Sequence, residues 1–161
     1  MKIVSNASPL IFLAKIGKLG LLEEYEVLMP KQVHKEILNG EKTGREDVHK
    51  IESLIKNDKI KVMESYIGKE LEKQNLGDGE KAAISLSIAK KITIVLLDEK
   101  KARSVARFYN LHPRGTIGVL LEAVKKNKIS KKEFKELIQK LIKEGYRINE
   151  EILFGLLKDI N

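Results

Sequence analysis

Residues 92–98 read Ile-Thr-Ile-Val-Leu-Leu-Asp, an apolar run that ends on a carboxylate. A run that is apolar on both faces is typical of a strand inside a parallel sheet, where helices cover both sides. Ligands of open parallel sheets bind beyond the carboxyl ends of the strands. The run therefore predicts a strand over residues 93–97 and places Asp98 at the ligand-binding edge of the sheet.

Strand patterns alternate with helical patterns along the chain. Three further short apolar segments predict strands at residues 2–5, 27–29 and 60–63. Helix starts are marked by N-cap residues or capping boxes at Ser8, Thr43, Asp78, Thr116, Ser130 and Asn149. The alternation predicts an α/β fold, namely a three-layer α/β/α sandwich with a central parallel sheet and a helical C-terminal third. Residues 111–115 are expected to be irregular, and Leu38 and Ile142 are placed on the inner faces of their helices.

A chain of 161 residues has the length of one domain and can bury a core of its own. We predict a single domain over residues 1–161, with its core at about 2–125 and C-terminal helices at about 130–160. The absence of cysteine excludes disulfides, thiolate catalysis and zinc–thiolate sites. No apolar stretch approaches the roughly 20 residues of a membrane span, and the first residues lack the layout of a signal peptide. We therefore expect a cytoplasmic protein without a membrane partner.

The positive charge is concentrated towards the C-terminus. Residues 99–147 hold 14 Lys and Arg against 5 Glu, whereas the other residues hold 17 Lys and Arg against 18 Asp and Glu, within a net charge of +8. A basic surface attracts polyanions over about a Debye length, roughly 8 Å at physiological salt. The excess forms either solvated lysine faces on surface helices or a nucleic-acid contact. Its combination with an acidic site favours nucleic acid as the partner.

Four oxygen-bearing side chains are predicted at one edge of the sheet. Asn6 follows the first strand, Asp98 follows the strand described above, and Glu36 and Glu80 lie near helix starts. Carboxylate and amide oxygens are the ligands that Mg²⁺ and Mn²⁺ prefer. The set predicts metal-assisted cleavage of a phosphodiester. Each residue also has a structural alternative: Asn6 and Asp98 as helix caps, Glu80 as a first-turn charge, and Glu36 as a helix-edge residue.

The surroundings of these residues add to the prediction. Glu36 lies at the edge of an apolar stripe, where an unpaired carboxylate is costly unless a cation or hydrogen bonds compensate it. Glycines next to Glu80 permit close approach of the backbone to a ligand. Glu99 is expected to start a helix and face away from the site. Arg103, about one turn further, is expected to neutralise Asp98 or to contact a phosphate.

Five segments of the chain, taken in order, resemble motifs of the PIN-domain family of metal-dependent ribonucleases, and specifically its VapC-like toxin branch. The matching segments are residues 3–11, 30–37, 77–83, 97–103 and 115–120. The resemblance covers about residues 2–125. It implies an α/β/α sandwich with an acidic pocket that binds one or two Mg²⁺ or Mn²⁺ ions.

The resemblance also implies roles for individual residues. Glu36, Glu80 and Asp98 would be the catalytic, metal-binding acids, and Asn6 would be a further ligand at a position where the family most often has Asp. Ligands or water would be oriented by Ser5, Ser8 and Thr116. The implied activity is that of a Mg²⁺- or Mn²⁺-dependent endoribonuclease that acts on RNA as the toxin of a toxin–antitoxin pair. Its implied protein partners are an antitoxin and a second copy of the chain in a homodimer.

Three alternatives to an active nuclease follow from the residues. Asn6 contributes no negative charge, which lowers the expected affinity for a metal, so a weak or inactive PIN-like module that binds RNA or a protein is the first alternative. A receiver-like phosphoacceptor domain would use Asp98, but it is disfavoured because no adjacent acids follow the first strand. A helix-turn-helix DNA binder is disfavoured because the apolar stripes of the C-terminal helices are interpreted as core and interface surface.

Overall fold

A computed structural model describes residues 1–40 and 45–160 and shows a five-stranded, all-parallel sheet with helices on both faces. The strands are β1 (Lys2–Ser5), β2 (Glu26–Pro30), β3 (Ile60–Met63), β4 (Ile94–Leu96) and β5 (His112–Arg114). Their order across the sheet is β3-β2-β1-β4-β5. The predicted α/β/α sandwich with a central parallel sheet is confirmed.

Nine α-helices are found among the described residues. They are α1 (Ala7–Lys15), α2 (Lys31–Asn39), α3 (Arg45–Lys56), α4 (Lys69–Glu72), α5 (Asp78–Lys90), α6 (Lys100–Phe108), α7 (Thr116–Lys125), α8 (Lys131–Lys143) and α9 (Glu150–Ile160). Helices α4, α5 and α6 bury side chains in the core on one face of the sheet, and the other helices bury theirs in the core on the opposite face. None of the helices in this part of the chain is long and apolar enough to cross a membrane.

Strand β1 lies at the centre of the sheet, between β2 and β4. Its Val4 pairs with Leu28 on one side and with Val95 on the other. Successive side chains of a strand point to opposite faces. Ile3 accordingly joins the core that includes α1 and α7, while Val4 joins the core that includes α5 and α6. Both faces of the strand are covered, which is why the neighbouring residues Ile3 and Val4 are both apolar.

The parallel arrangement brings the carboxyl ends of all five strands to one edge of the sheet. Asn6 follows β1 directly, Asp98 lies two residues beyond β4, and Thr116 lies two residues beyond β5. Glu36 lies in α2, which follows β2, and Glu80 lies in the first turn of α5. Helices α2 and α5 pack against each other, so these chain positions are carried to the same edge.

Three of the predicted N-caps are wrong, because Ser8, Asp78 and Thr116 lie within the first turns of α1, α5 and α7. The N-cap positions are held by Asn6, Gly77 and Gly115. The hydroxyl groups of Ser8 and Thr116 bind another side chain instead of the ends of their own helices. The local sequence pattern therefore predicted these helix starts to within one or two residues. It assigned the wrong partner to the hydroxyl groups of Ser8 and Thr116.

Two other predicted caps are confirmed. The Ser130 hydroxyl accepts the backbone N–H of Glu133 at 3.0 Å at the start of α8. The Asn149 side-chain oxygen accepts the backbone N–H of Ile152 at 2.8 Å at the start of α9. The predicted cap at Thr43 lies outside the described residues.

The segment expected to be irregular contains β5. His112 pairs with Ile94, and the backbone N–H of Leu97 donates to the carbonyl of Arg114. Strand β5 lies at the edge of the sheet, where a proline such as Pro113 is tolerated because one side needs no donor. The C-terminal third is therefore helical only from α7 onwards. Two inner-face assignments are also wrong, since Leu38 is 52% exposed and Ile142 is 43% exposed.

The packing of the C-terminal helices generates a stability prediction. Phe134 of α8 is fully buried, whereas Phe154 of α9 is 69% exposed. Phe134→Ala leaves a cavity and should lower the free energy of unfolding by about 3–5 kcal/mol. Phe154→Ala is the matched control and should change it by less than about 0.5 kcal/mol. Equilibrium unfolding in urea measures both, and equal losses would contradict the position of α8 in the core.

Candidate active site

The Asp98 carboxylate accepts four hydrogen bonds from three separate parts of the chain. Its Oδ1 accepts the backbone N–H of Thr116 at 2.7 Å and the hydroxyl of Tyr146 at 2.9 Å. Its Oδ2 accepts the hydroxyl of Ser8 at 2.6 Å and the hydroxyl of Thr116 at 2.9 Å. An ionised carboxylate has about four acceptor positions, so these donors occupy all of them. Asp98 therefore joins α1, the start of α7 and the segment after α8 at the end of β4.

The start of α7 provides a favourable environment for this carboxylate. The backbone N–H of Thr116 belongs to the first turn of the helix, where donors have no intrahelical partner. The partial positive charge of a helix N-terminus also favours a negative side chain. A Cβ on Gly115 would lie 3.1 Å from Asp98 Oδ1 and 3.5 Å from the Tyr146 hydroxyl oxygen. Glycine at this position leaves room for the hydrogen bonds that Asp98 accepts.

Tyr146 connects the C-terminal helices to the end of the sheet. Its ring packs edge-on against Phe12, with ring centroids 5.0 Å apart and an interplanar angle of 83°. Burial and the negative charge of Asp98 raise the pKa of the Tyr146 hydroxyl, which therefore remains a protonated donor. Sequence reasoning missed this residue, because no local pattern relates it to an aspartate 48 positions away.

Glu36 reaches from α2 to the first turn of α5. Its Oε1 accepts the backbone N–H of Gly79 at 2.9 Å. A Cβ on Gly79 would lie 2.6 Å from both carboxylate oxygens, which is closer than such atoms can approach. The glycine permits a close approach, as the sequence predicts, but the group that approaches is the Glu36 side chain. Gly79 is thus required for Glu36 to occupy its observed position.

Glu36 and Glu80 form no ion pair with any residue in the described part of the chain. Burial raises the pKa of Glu36 against the opposing effect of the Gly79 N–H, and the nearby charges of Glu80 and Asp78 raise it further. Desolvation likewise raises the pKa of Glu80, and the charge of Glu99 adds to this effect. The carboxylates repel one another without a compensating cation, so this edge of the sheet attracts positive charge.

Glu80 and Glu99 occupy the starts of two helices. The Glu80 Oε2 accepts the backbone N–H of Gly77 at 3.0 Å, which is one half of a capping box. Glu99 holds the N-cap position of α6 with an extended backbone and lines a cleft at the sheet edge. The expectation that Glu99 faces away from the site is therefore wrong. Its position directly after Asp98 is the signal that sequence reasoning undervalued.

Asn6 is buried at the end of β1 with an unused oxygen. Its backbone N–H donates to the carbonyl of Leu96 at 3.1 Å, which fixes the residue between β1 and β4. The residue is 7% exposed, and no described residue donates to its Oδ1. A cleft of about 1010 Å³ opens beside it and is also lined by Ser8, Glu36, Glu99 and Tyr146. We name it the Asn6 cleft. A buried oxygen without a donor is costly, so this atom is suited to bind a ligand.

The remaining predicted residues lie around the Asn6 cleft at different depths. Ser5 is fully buried, and its hydroxyl donates to the Asn6 carbonyl at 2.9 Å. The Arg103 guanidinium donates to the backbone carbonyl of Asp98 rather than to its carboxylate. Asp98 and Glu80 do not line the cleft themselves. Asp98 is instead connected to it by Ser8 and Tyr146, which both line the cleft and donate to its carboxylate.

The oxygen atoms at the Asn6 cleft are of a kind that suits a hard divalent cation. The unpartnered Asn6 Oδ1 and the Glu36 carboxylate are oxygen donors of the kind that Mg²⁺ and Mn²⁺ prefer. Within residues 1–40 and 45–160, no group of three or more His, Cys, Asp or Glu side chains is arranged to hold a metal ion. A cation here would take its other ligands from water and from phosphate, as Mg²⁺ commonly does.

Comparison with known families identifies the class of this fold and site. A family model for the PIN domain matches residues 2–161, so the chain belongs to the PIN-domain family. PIN domains are nuclease-like domains that generally use divalent metal ions. Comparisons with curated proteins and with solved structures gave no match. The predicted membership of the PIN-domain family is confirmed.

The raised pKa of Glu36 predicts a pH-dependent effect of Glu36→Gln. The pKa of Glu36 is higher in the folded chain than its ordinary value of 4.5, so the folded state binds a proton more tightly than the unfolded state. The protonated carboxyl group therefore contributes its full stability below pH 4.5, and this contribution is lost as the pH rises through the folded pKa. Glutamine keeps an oxygen for the Gly79 N–H but carries no charge. The Tm of Glu36→Gln should therefore exceed that of the native protein at pH 7 and converge with it below pH 4.5. Thermal unfolding followed by circular dichroism measures this, and a lower Tm at pH 7 would contradict it.

The hydrogen bond from Tyr146 to Asp98 predicts a loss of stability in Tyr146→Phe. Phenylalanine keeps the ring contact with Phe12 but leaves one acceptor position of a charged carboxylate without its donor. The free energy of unfolding should fall by about 1.5–3 kcal/mol. Tyr109→Phe is the matched control, because no described residue hydrogen-bonds the Tyr109 hydroxyl. Urea unfolding measures the free energy of unfolding of both variants. An unchanged free energy of unfolding in Tyr146→Phe would show that the hydrogen bond to Asp98 does not stabilise the fold.

Proposed function

We propose that the protein is a Mg²⁺- or Mn²⁺-dependent endoribonuclease. The observation that supports this most directly is the buried, unpartnered Oδ1 of Asn6 beside the unpaired Glu36 carboxylate in a chain of the PIN-domain family. Both groups lie at the carboxyl edge of a parallel sheet, which is where open α/β folds bind their ligands. The excess of Lys and Arg over residues 99–147 is consistent with a polyanionic substrate.

The proposal assigns the predicted site residues to different tasks. Asn6 and Glu36 bind the cation, and Glu80 increases the negative charge that attracts it. Asp98 holds Ser8 and Tyr146 at the wall of the Asn6 cleft and would bind the cation only by releasing one of these donors. Thr116 and Arg103 keep Asp98 in place, and Ser5 supports the backbone of Asn6.

The chain's own residues also orient the reaction. A bound divalent cation would supply Lewis acidity and an activated water. Glu36 accepts the Gly79 N–H and lines the cleft, and burial together with the charges of Glu80 and Asp78 raises its pKa, so a bound cation would stabilise its ionised form. Tyr146 has a raised pKa, so it serves as a proton donor in hydrogen bonds and not as a base.

We further propose that this nuclease is the toxin of a toxin–antitoxin pair, acting in the cytoplasm as a homodimer. The support is the ordered resemblance of five segments to the VapC-like branch of the family. In such a pair an antitoxin would hold the nuclease activity down. Copurification with a small protein partner, and inhibition of cleavage by that partner, would be the expected behaviour.

A second candidate function is a PIN-like module that binds RNA or a protein with little or no cleavage. Two observations favour it. Asn6 contributes an amide oxygen in place of a negative charge, and all four acceptor positions of Asp98 are already occupied by the chain's own donors. Both features lower the affinity for a divalent cation relative to a site built from four free carboxylates.

Cleavage of a mixed pool of structured RNA, with Mn²⁺, Mg²⁺ or EDTA, tests the proposed function. The native protein should cleave with a divalent ion and not in EDTA. Glu36→Gln and Asp98→Asn should lower the rate by at least about 10- to 100-fold. Asn6→Asp adds a charge at the site and should lower the metal concentration needed. Cleavage that persists in EDTA or in Glu36→Gln would refute the nuclease mechanism, and cleavage by Asn6→Asp alone would select the second candidate.

Gly79→Ala separates the position of Glu36 from the stability of the fold. The added Cβ clashes with the flexible end of Glu36, while alanine is the better helix former by roughly 0.5–1 kcal/mol. The variant should therefore fold normally and lose divalent-dependent cleavage as Glu36→Gln does. Gly155→Ala in α9 is the matched control, because its Cβ meets nothing within 4 Å. Full activity in Gly79→Ala would show that the position of Glu36 is irrelevant.

A further inference from the structure

We propose that one face of α6 binds single-stranded RNA that leaves the Asn6 cleft, an inference that rests on the proposed function. The residues of this α6 face are Lys100, Lys101, Ser104, Arg107 and Phe108, and all are exposed. Four of them follow the spacing i, i+4, i+7 and i+8, which places them along one side of a helix. The opposite side of α6 is buried in the core through Ala102 and Ala106.

The α6 face carries positive charge that the protein does not neutralise. No Asp or Glu occurs in residues 100–121, which contain five Lys and Arg. In the described part of the chain, Lys100, Lys101 and Arg107 form no ion pair. Lys126 and Lys128, by contrast, both pair with Glu24. The cations of α6 are therefore available to an external polyanion, and phosphate contacts of this kind supply most of the sequence-independent affinity for nucleic acid.

Phe108 ends the α6 face with an exposed aromatic ring. The residue is 80% exposed, and its ring meets Tyr109 edge-on at a centroid distance of 5.3 Å. Proteins that bind single strands combine cations along the backbone with aromatic rings on which unpaired bases stack. A duplex keeps its bases stacked inside, so a ring of this kind favours a single strand. An acidic protein would use the cations but would have no base to place on the ring.

The position of α6 connects this face to the Asn6 cleft. Glu99 lines the cleft and is followed directly by Lys100, the first residue of α6. The helix rises about 12 Å from Lys100 to Phe108, at roughly 1.5 Å per residue. That length matches about three or four stacked nucleotides at roughly 3.4 Å each. An RNA strand with one phosphate in the cleft would thus place a base on Phe108 a few nucleotides away.

Fluorescence anisotropy with a labelled oligouridylate of about twelve nucleotides, in EDTA, measures binding without cleavage. The triple variant Lys100→Gln, Lys101→Gln, Arg107→Gln should weaken binding by at least about tenfold. It should also reduce the steepness with which the logarithm of the association constant falls with the logarithm of the salt concentration. The slope should decrease by about 2, because each of three lost phosphate contacts contributes roughly 0.7 to it. Phe108→Ala should weaken binding by roughly 5- to 100-fold with little change in that slope.

Matched controls remove the same groups from another part of the surface. Lys131→Gln, Lys132→Gln, Lys140→Gln takes three exposed charges from α8, which packs on the opposite face of the sheet. Phe154→Ala removes an exposed ring from α9. Both control variants should bind the oligouridylate like the native protein, because they leave the α6 face unchanged.

Two outcomes would overturn the proposal. If the α6 and α8 triple variants lost oligouridylate affinity equally, the RNA would be attracted by the net charge of the protein and not by the α6 face. If the α6 variants lost binding to polyglutamate but kept binding to oligouridylate, the α6 face would be assigned to an acidic protein. Hydrolysis of bis(p-nitrophenyl) phosphate by the native protein with Mn²⁺ is measured separately. Its absence would contradict the proposed nuclease function, whereas the binding data alone decide whether the α6 face recognises RNA.

Discussion

The hydrogen bonds to the Asp98 carboxylate hold together three parts of the chain that are far apart in sequence. One side chain binds Ser8 of α1, the first turn of α7, and Tyr146 beyond α8. Hydrogen bonds to a charged group are stronger than neutral ones, and each lost donor would leave a partly buried oxygen unsatisfied. The wall of the Asn6 cleft depends on this carboxylate, because two of the residues that line the cleft are also its donors.

The oxygen atoms at the sheet edge fall into two environments. Asp98 is saturated with donors, whereas Glu36 and Glu80 each accept one backbone N–H and remain close to other negative charges. The Asn6 Oδ1 has no donor among the described residues. A carboxylate that accepts hydrogen bonds at all of its acceptor positions stabilises the native structure. Buried oxygen atoms that lack donors raise the free energy of the native structure until a ligand binds them. The division explains how one cluster of polar residues is able both to brace the fold and to attract a cation.

The fold was largely predictable from the sequence, whereas the partners of individual side chains were not. Strands β1 to β4 are predicted because each contains a short apolar segment, but β5 has three residues and includes Pro113, so it resembles a loop. Ser8 and Thr116 were predicted as caps because local spacing says nothing about a distant carboxylate. The unusual position of Glu36 at an apolar edge was visible in the sequence. Its contact with Gly79 was not, because it depends on how α2 packs against α5.

The order of the strands has a consequence for how the protein is made. Strand β1 precedes the other four strands along the chain but lies between β2 and β4, and β4 follows only at Ile94–Leu96. In a nascent chain on the ribosome, one edge of β1 therefore stays unpaired until the residues up to β4 have been translated, and such edges promote aggregation. Asp98 obtains its last donor when Tyr146 emerges. The cleft is therefore completed only after α8 has been synthesised, and chains that end before Tyr146 lack part of its wall.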